Sequence, residues 1–296
     1  MGGGHHHHHD GGRALLVALV LNGVYTVGQA LAGIVLGSVA LLADAGHNLS
    51  DVLALGLAAT AVWWARRPAT PTHSFGFRRA EILGALINGL SVVAIAAVII
   101  VEAARRVGNP PEVAGGWVML IAGLGVLVNA VSVWIIHRAA RGSRNLNLRA
   151  SIIHLAGDTL ASVGVVLAGF LVVTLGWEVV DPLVAIMIGV VIIVSAWKVL
   201  RDAVLVLFEA SPSHIDPEAV GTAMVGVPGV QEVHDLHVWS VSSDFPAMSA
   251  HVIVGAGIDC HHVRSVLETL LSERFQIGHA TLQMEHRQSR HLTVGS

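Results

Sequence analysis

Apolar runs of eighteen or more residues recur through the first two thirds of this 296-residue chain. A run of that length crosses the roughly 30 Å of hydrocarbon in a bilayer as one helix. Only 12% of the residues are charged, whereas a soluble domain carries roughly a quarter. We therefore predict a membrane all-α bundle of six transmembrane helices, with spans near 14–36, 40–65, 81–104, 114–137, 147–175 and 179–200.

The basic residues predict which side of the membrane each loop faces. Eleven of them flank one set of helix ends: Arg13, Arg66, Arg67, Arg78, Arg79, Arg138, Arg141, Arg144, Arg149, Lys198 and Arg201. The opposite ends have Arg105 and Arg106. The positive-inside rule then places both termini in the cytoplasm. We therefore expect a multi-pass protein of the inner (plasma) membrane. The net charge of −3, with histidines neutral, gives no indication of nucleic-acid binding.

Beyond about residue 208 the chain regains ordinary polarity. Asp216 followed by Pro217 is typical of a helix start, and two alternating segments read as paired strands. An amphipathic helix and a last strand complete a small α+β domain of ferredoxin-like or metallochaperone-like type, with two helices on one face of a sheet. The predicted domains are a His-rich tail (1–13), a membrane domain (14–207) and a cytoplasmic α+β domain (208–296).

Two histidine–aspartate pairs lie inside predicted spans. His47 and Asp51 are four residues apart in the second span, and His154 and Asp158 are four apart in the fifth. On a helix that spacing puts both side chains on one face, about one turn apart. Since the two spans run in opposite directions and each pair lies at a similar depth, all four groups can meet near mid-bilayer.

Ionisable groups at that depth need an explanation, because a central Asp costs roughly 2.5–3.5 kcal/mol on insertion scales. Two imidazoles and two carboxylates form a four-ligand shell that suits tetrahedral zinc well and magnesium or calcium poorly. The alternative is that each His bonds to the Asp of its own helix. The repeated spacing favours a shared zinc site. Cys260 is the only cysteine, so no thiolate cluster is available.

The sequence also resembles a known family, the cation diffusion facilitators. Three motifs are similar to its second, third and fifth helices: ALLADAGHNLSD at 40–51, FGFRRAEIL at 75–83 and HLAGD at 154–158. The resemblance implies a homodimeric antiporter that exchanges divalent metal ions for protons across the bilayer, with His47, Asp51, His154 and Asp158 as its transport site. It also implies a zinc preference, with cadmium accepted. Some relatives have a second metal site in the loop between the second and third helices, built from an Asp and two His. We do not expect it here, because Thr70 and Phe77 stand at two of the three ligand positions. Only His73 matches the third.

The C-terminal domain resembles the regulatory domain of that family in VHDLHVW at 233–239, SAH at 249–251 and HATLQME at 279–285. The resemblance implies additional Zn²⁺ there. His234, His251 and Glu285 match best, with His237 and His279 as further candidates. On a regular strand, His234 and His237 face opposite ways and cannot easily share one ion.

Two other classes of function remain as alternatives. Histidine–carboxylate zinc sites also activate water, but the chain has no His-Glu-x-x-His motif, and four ligands leave no open position for a zinc enzyme. A metal sensor with a membrane anchor does not explain the mid-bilayer pairs. The run His5–His9 will bind zinc or nickel whether it is native or a tag. We therefore predict a zinc transporter and not an enzyme.

Overall fold

The computed structural model describes residues 7–65, 67–140 and 146–286. His5 and His6 of the histidine run lie outside the described residues. Six long helices come first, followed by a small domain of two helices and three strands. The long helices are α1 (His7–Leu36), α2 (Val39–Ala65), α3 (Ala80–Val107), α4 (Gly115–Ala140), α5 (Leu146–Leu175) and α6 (Val180–Leu207).

Within the described residues, five of these helices are long and apolar enough to cross a membrane, namely all except α2. Helix α2 is of similar length, with 27 residues, but it carries Asp44, His47, Asn48 and Asp51 in its first half. The predicted all-α membrane domain is confirmed. It has six long helices, five of which have the length and apolarity of a membrane span among the described residues. Helix α1 begins at His7, which is earlier than the predicted span that starts at Ala14.

The chain forms two compact units. One contains the described residues up to Leu57 and those within 87–200. The other contains the described residues within 58–86 and from Arg201 onward. The first unit is built around small and branched side chains from α2 to α6, among them Val39, Ala96 and Val165. Burial of such side chains lets the helices approach closely, and close approach supplies the dispersion contacts that hold membrane helices together.

Helices α4 and α5 pack backbone to backbone at one point. A Cβ atom added to Gly115 would lie 2.9 Å from the Gly169 carbonyl oxygen, and one added to Gly169 would lie 2.8 Å from that of Gly115. No larger residue fits without separating the helices, which is the usual reason for glycine at a membrane helix contact. This contact helps to fix the position of the α5 pair His154 and Asp158.

The start of α2 is capped by a residue of another helix. Asp181 of α6 accepts a 2.9 Å hydrogen bond from the Val39 N–H and a 2.5 Å bond from the Ser38 hydroxyl. Asp181 is 2% exposed. The first N–H groups of a helix have no partner within it and are satisfied by such acceptors. The cap anchors the end of α2 that precedes His47.

The small domain follows the predicted plan. Helix α7 (Pro217–Val225) is capped by Asp216, whose side chain accepts from the Glu218 N–H. Strands β1 (Val230–Ser242) and β2 (Phe245–Val254) pair antiparallel, and β3 (His279–His286) joins β2 in parallel after helix α8 (Cys260–Phe275). The domain has its own core, to which α7, α8 and one face of β2 contribute Val220, Leu267 and Val252.

A β-bulge in β1 corrects one prediction. His234 pairs with His251 and His237 with Ser249, so three residues of β1 advance where β2 advances by two. Asp235, within the bulge, has a φ of 49°. The extra residue reverses the alternation of side chains, so His234 and His237 lie on the same face of the sheet. The prediction that they face opposite ways is therefore wrong.

Candidate metal centre

Helices α2 and α5 bring the two predicted pairs together. His47 Nε2 lies 3.2 Å from Asp158 Oδ1, and His154 Nε2 lies 3.1 Å from Asp51 Oδ2. The rings of His47 and His154 have their centroids 6.2 Å apart. The four side chains thus form one cluster, which we call the His/Asp cluster.

The short contacts in this cluster run between the helices. Within α5, His154 Nε2 is 3.7 Å from Asp158 Oδ2, which is longer than either contact between helices. The alternative in which each His bonds only to its own Asp does not describe this arrangement. Zinc–ligand bonds of about 2.0–2.2 Å in a tetrahedron place neighbouring ligand atoms about 3.3–3.6 Å apart. The three observed spacings, 3.1, 3.2 and 3.7 Å, lie close to that edge length. Ligand atoms of His47, Asp51 and Asp158 all lie within 4.8 Å of one another. His154 is outside this group of three and approaches the two carboxylates.

A cavity of about 120 Å³ reaches the cluster. Asp51, His154 and Asp158 line it, together with Asn22 and Asn48. Helix α1 contributes Ala18, Leu19 and Asn22 to its wall. Asp158 is the most enclosed carboxylate of the cluster, with 6% of its side chain exposed. Side chains of α1, α2 and α5 thus line one cavity at the cluster.

Closer to the start of α2 lies a polar group that the sequence reasoning missed. Asp44 Oδ2 accepts hydrogen bonds from Gln29 Nε2 of α1 at 2.6 Å and from Ser162 Oγ of α5 at 3.0 Å. All three side chains are buried. The available signal was Asp44 itself, a third ionisable residue of α2 placed three residues before His47.

The small domain holds a second cluster on the face of the sheet opposite its core. Ligand atoms of His234, His251 and Glu285 lie within 4.8 Å of one another, and His251 Nδ1 is 2.7 Å from Glu285 Oε1. The hydrogen bond from His251, with a second from Gln283, lowers the pKa of the Glu285 carboxyl. Two imidazoles and a carboxylate fit zinc and leave a fourth position open.

Neither further candidate is in this group of three, although the Asp235 carboxylate lies 3.9 Å from His251 Nε2 as well as near His237. His237 Nε2 lies 3.0 Å from Asp235 Oδ1, and His279 sits between Phe75 and Phe245, with ring centroids 5.6 Å from each. His279 and Glu285 are six residues apart on β3, or about 20 Å along a strand. The structure therefore separates His279 from the three clustered side chains.

The loop between α2 and α3 contains the three positions at which some relatives have a second metal site. The His73 ring stacks on Phe77 with centroids 4.6 Å apart, and His73 Nδ1 lies 3.2 Å from Thr70 Oγ1. Among the described residues, the groups of three or more side chains able to hold a metal ion do not include His73. The three loop positions thus meet, but two of them offer no strong metal ligand.

Comparison with known proteins decides the family. Residues 15–208 match the cation efflux transmembrane domain, and residues 212–287 match the cytoplasmic domain of cation efflux proteins. The chain belongs to the cation efflux family. The predicted resemblance to the cation diffusion facilitators is thereby confirmed, and the chain is a multi-pass membrane protein.

Named relatives of this cation efflux protein are transporters. Zinc transporter ZitB of Escherichia coli (strain K12) is 38% identical over 276 residues, which are 93% of this chain and 88% of that protein. The cadmium, cobalt and zinc/H(+)-K(+) antiporter of Bacillus subtilis (strain 168) is 35% identical over 281 residues, or 94% and 90% of the two chains. These relatives agree with the prediction of a transporter and not an enzyme.

A solved structure also matches the C-terminal part of this cation efflux protein. It is the metal-bound C-terminal domain of the CzcD transporter from Cuprividus metallidurans, with 30% identity and a TM-score of 0.23. The match covers 24% of this chain and 99% of that one.

Proposed function

We propose that this protein exports Zn²⁺, and also Cd²⁺, from the cytoplasm in exchange for protons, with the His/Asp cluster as its transport site. The observation that carries the proposal is the pairing of α2 with α5 through contacts of 3.1 Å and 3.2 Å. Three potential ligands, on His47, Asp51 and Asp158, lie within 4.8 Å of one another. His154 Nε2, 3.1 Å from Asp51, supplies the fourth ligand that a tetrahedral zinc shell requires.

The donor set supports zinc over harder ions. Neutral imidazole is a good ligand for zinc, whereas magnesium and calcium require six or more oxygen ligands. His47 and His154 supply two nitrogens, and Asp51 and Asp158 balance the charge of a divalent ion. A bound zinc ion therefore leaves the shell neutral, which lowers the cost of holding it in a medium of low dielectric constant.

Competition for the same atoms supports proton exchange. An imidazole must be neutral to bind a metal, so protons and zinc compete for His47 and His154. Protonation on the outer side helps to expel zinc, and zinc displaces protons on the inner side. The relative from Bacillus subtilis is named as an antiporter, and this supports the same coupling here.

The remaining parts of the proposal concern placement and assembly. Both termini lie on the cytoplasmic side of the inner membrane, supported by the basic residues at those helix ends. The protein works as a homodimer in the lipid bilayer. The small domain regulates transport by binding Zn²⁺ through His234, His251 and Glu285, whose ligand atoms already lie within 4.8 Å of one another.

Metal uptake into inside-out membrane vesicles tests this function. We expect uptake of zinc and cadmium in preference to manganese and iron, and loss of uphill uptake when a protonophore collapses the pH gradient. Asp51→Ala should abolish uptake. Glu102→Gln, a matched change of a carboxylate on α3 that pairs with Arg106, should not. Uphill zinc uptake without any proton gradient would refute the antiport, and vesicles that take up no zinc would refute the function.

A further inference from the structure

Asp44 is a fully buried carboxylate for which the proposed transport site has no use. Its side chain is 0% exposed, and its hydrogen-bonding neighbours Gln29 and Ser162 are 1% and 0% exposed. Asp44 lies three residues before His47, or about 4.5 Å farther along the α2 axis. That displacement is toward the start of α2, and Asp44 is not among the residues that line the cavity.

The hydrogen bonds around Asp44 suit a charged carboxylate. Gln29 Nε2 and Ser162 Oγ both donate to Oδ2, whereas Oδ1 has no hydrogen-bond partner among the residues that the structure describes. The free oxygen therefore presents lone pairs in a buried, low-dielectric place, where an unpaired charge is costly.

A polar connection runs from the cavity to this carboxylate. Asn48 lines the cavity beside Asp51, His154 and Asp158. Its side-chain N–H₂ donates to Gln29 Oε1 at 3.4 Å, and Gln29 in turn donates to Asp44. Polar side-chain groups of Asn48 and Gln29 therefore lie between the His/Asp cluster and Asp44. A cation that moves toward the start of α2 can contact them.

We propose that Asp44 is a second, transient binding site for the divalent cation, about one helical turn from the His/Asp cluster toward the start of α2. This inference rests on the proposed transport function and names the next ligand on the exit route. Oxygen ligands alone hold zinc less firmly than imidazole does. A weak site suits an intermediate position, because conduction requires binding that is favourable enough to enter and weak enough to leave.

The test compares an amide with a carboxylate at position 44. It distinguishes a role of Asp44 in the passage of the cation from a role in holding the structure together. Asp44→Asn keeps a side-chain oxygen that accepts both hydrogen bonds, but it removes the charge. In the full-length protein, the zinc dissociation constant of the His/Asp cluster should stay within about threefold of wild type, a change of about 0.65 kcal/mol or less. Zinc efflux from proteoliposomes at saturating zinc should fall by about tenfold or more, which is about 1.4 kcal/mol on the barrier.

Two further variants sharpen the comparison. Asp44→Glu keeps the charge and should recover part of the lost rate, whereas a purely steric role predicts that the longer side chain is worse than Asn. Glu102→Gln removes a carboxylate of α3 outside this route and should transport as wild type does. Zinc–zinc counterflow at equal pH on both sides should slow in Asp44→Asn as much as net efflux does, because the ion passes the same position in both assays.

Three results would overturn the inference. Full-rate efflux by Asp44→Asn would show that the ion does not use this carboxylate. Normal counterflow with lost net efflux would make Asp44 a proton carrier instead. Unfolding, or zinc binding weakened as much as transport, would make it a structural residue. A wild-type protein that moves no zinc would remove the proposed function as well, so the two failures are distinguishable.

Discussion

His47 on α2 faces Asp158 on α5, with 3.2 Å between Nε2 and Oδ1. The reciprocal contact joins His154 of α5 to Asp51 of α2 at 3.1 Å. Each helix therefore supplies half of every short contact, and neither can hold an ion alone. A relative movement of α2 and α5 would change both of these contacts together.

Loss of one ligand should abolish transport. Asp158→Ala removes one of four groups from the His/Asp cluster, and even an outer-shell partner is worth about 10- to 100-fold in metal affinity. We expect zinc affinity to fall by more than that and a zinc-sensitive host to lose its protection, while expression and dimerisation stay normal. Growth on zinc plates and immunoblots check this. Protection equal to that of the parent protein would remove Asp158 from the site.

The histidines should set the choice of metal. His47→Asp replaces a nitrogen ligand by a carboxylate oxygen, which relaxes the preference for zinc over cadmium and over harder ions such as manganese. The ratio of initial uptake rates in vesicles measures the effect, with Ser195→Ala on α6 as a control outside the cluster. If the ratios stayed at wild-type values, His47 would not govern selectivity.

The small domain should bind zinc by itself. Its core is made of residues between Ile215 and Met284, so a fragment from Ser211 onward contains all of it. We expect a dissociation constant of about 1 μM or less, equivalent to about 8 kcal/mol, and dimerisation promoted by metal. Triple substitution of His234, His251 and Glu285 by Ala should remove this binding, whereas His279→Ala should not. Calorimetry that found undiminished zinc binding in the triple variant would contradict the site.

Glu285 should make a pH-dependent contribution to the free energy of unfolding of the same domain. The hydrogen bond from His251 lowers the pKa of Glu285 in the folded state, so the ionised carboxylate stabilises the fold. That contribution is present above the usual Glu value of about 4.3 and is lost as the pH falls through the lower, folded-state value. Without metal, Glu285→Gln should reduce the urea midpoint of the fragment at pH 7 but not at pH 2. Equal reductions at both pH values would contradict the ionic origin.

Substitution of Gly169 on α5 should lower the stability of the protein, because its backbone touches that of α4. Gly169→Ala places a methyl group 2.8 Å from the Gly115 carbonyl oxygen, and overpacking of this kind costs about 1–3 kcal/mol. We expect a lower melting temperature in detergent. The matched control is Gly123→Ala on α4, where an added Cβ meets nothing within 4 Å. If both variants melted together, the close approach of α4 and α5 would not limit stability.

The sequence by itself determined the features that depend on near neighbours in the chain. Long apolar runs specify membrane helices because every backbone hydrogen bond must be made within the segment. Asp216 before Pro217 specified the start of α7, since a cap is local. The spacing of four residues placed His47 with Asp51, and His154 with Asp158, on common faces. For the same reason the family could be inferred from short motifs.

Only the tertiary structure decided which side chains from different elements meet. Helix periodicity gives the face of a residue but not its partner, so the pairing of His47 with Asp158 depends on how α2 and α5 pack. The partners of Asp44 come from α1 and α5, and no local pattern links them. A bulge at Asp235 shifted the register of β1 by one residue, which moved His237 to the face of His234. Register and helix contact are set by packing between distant segments, and that is why local sequence could not supply them.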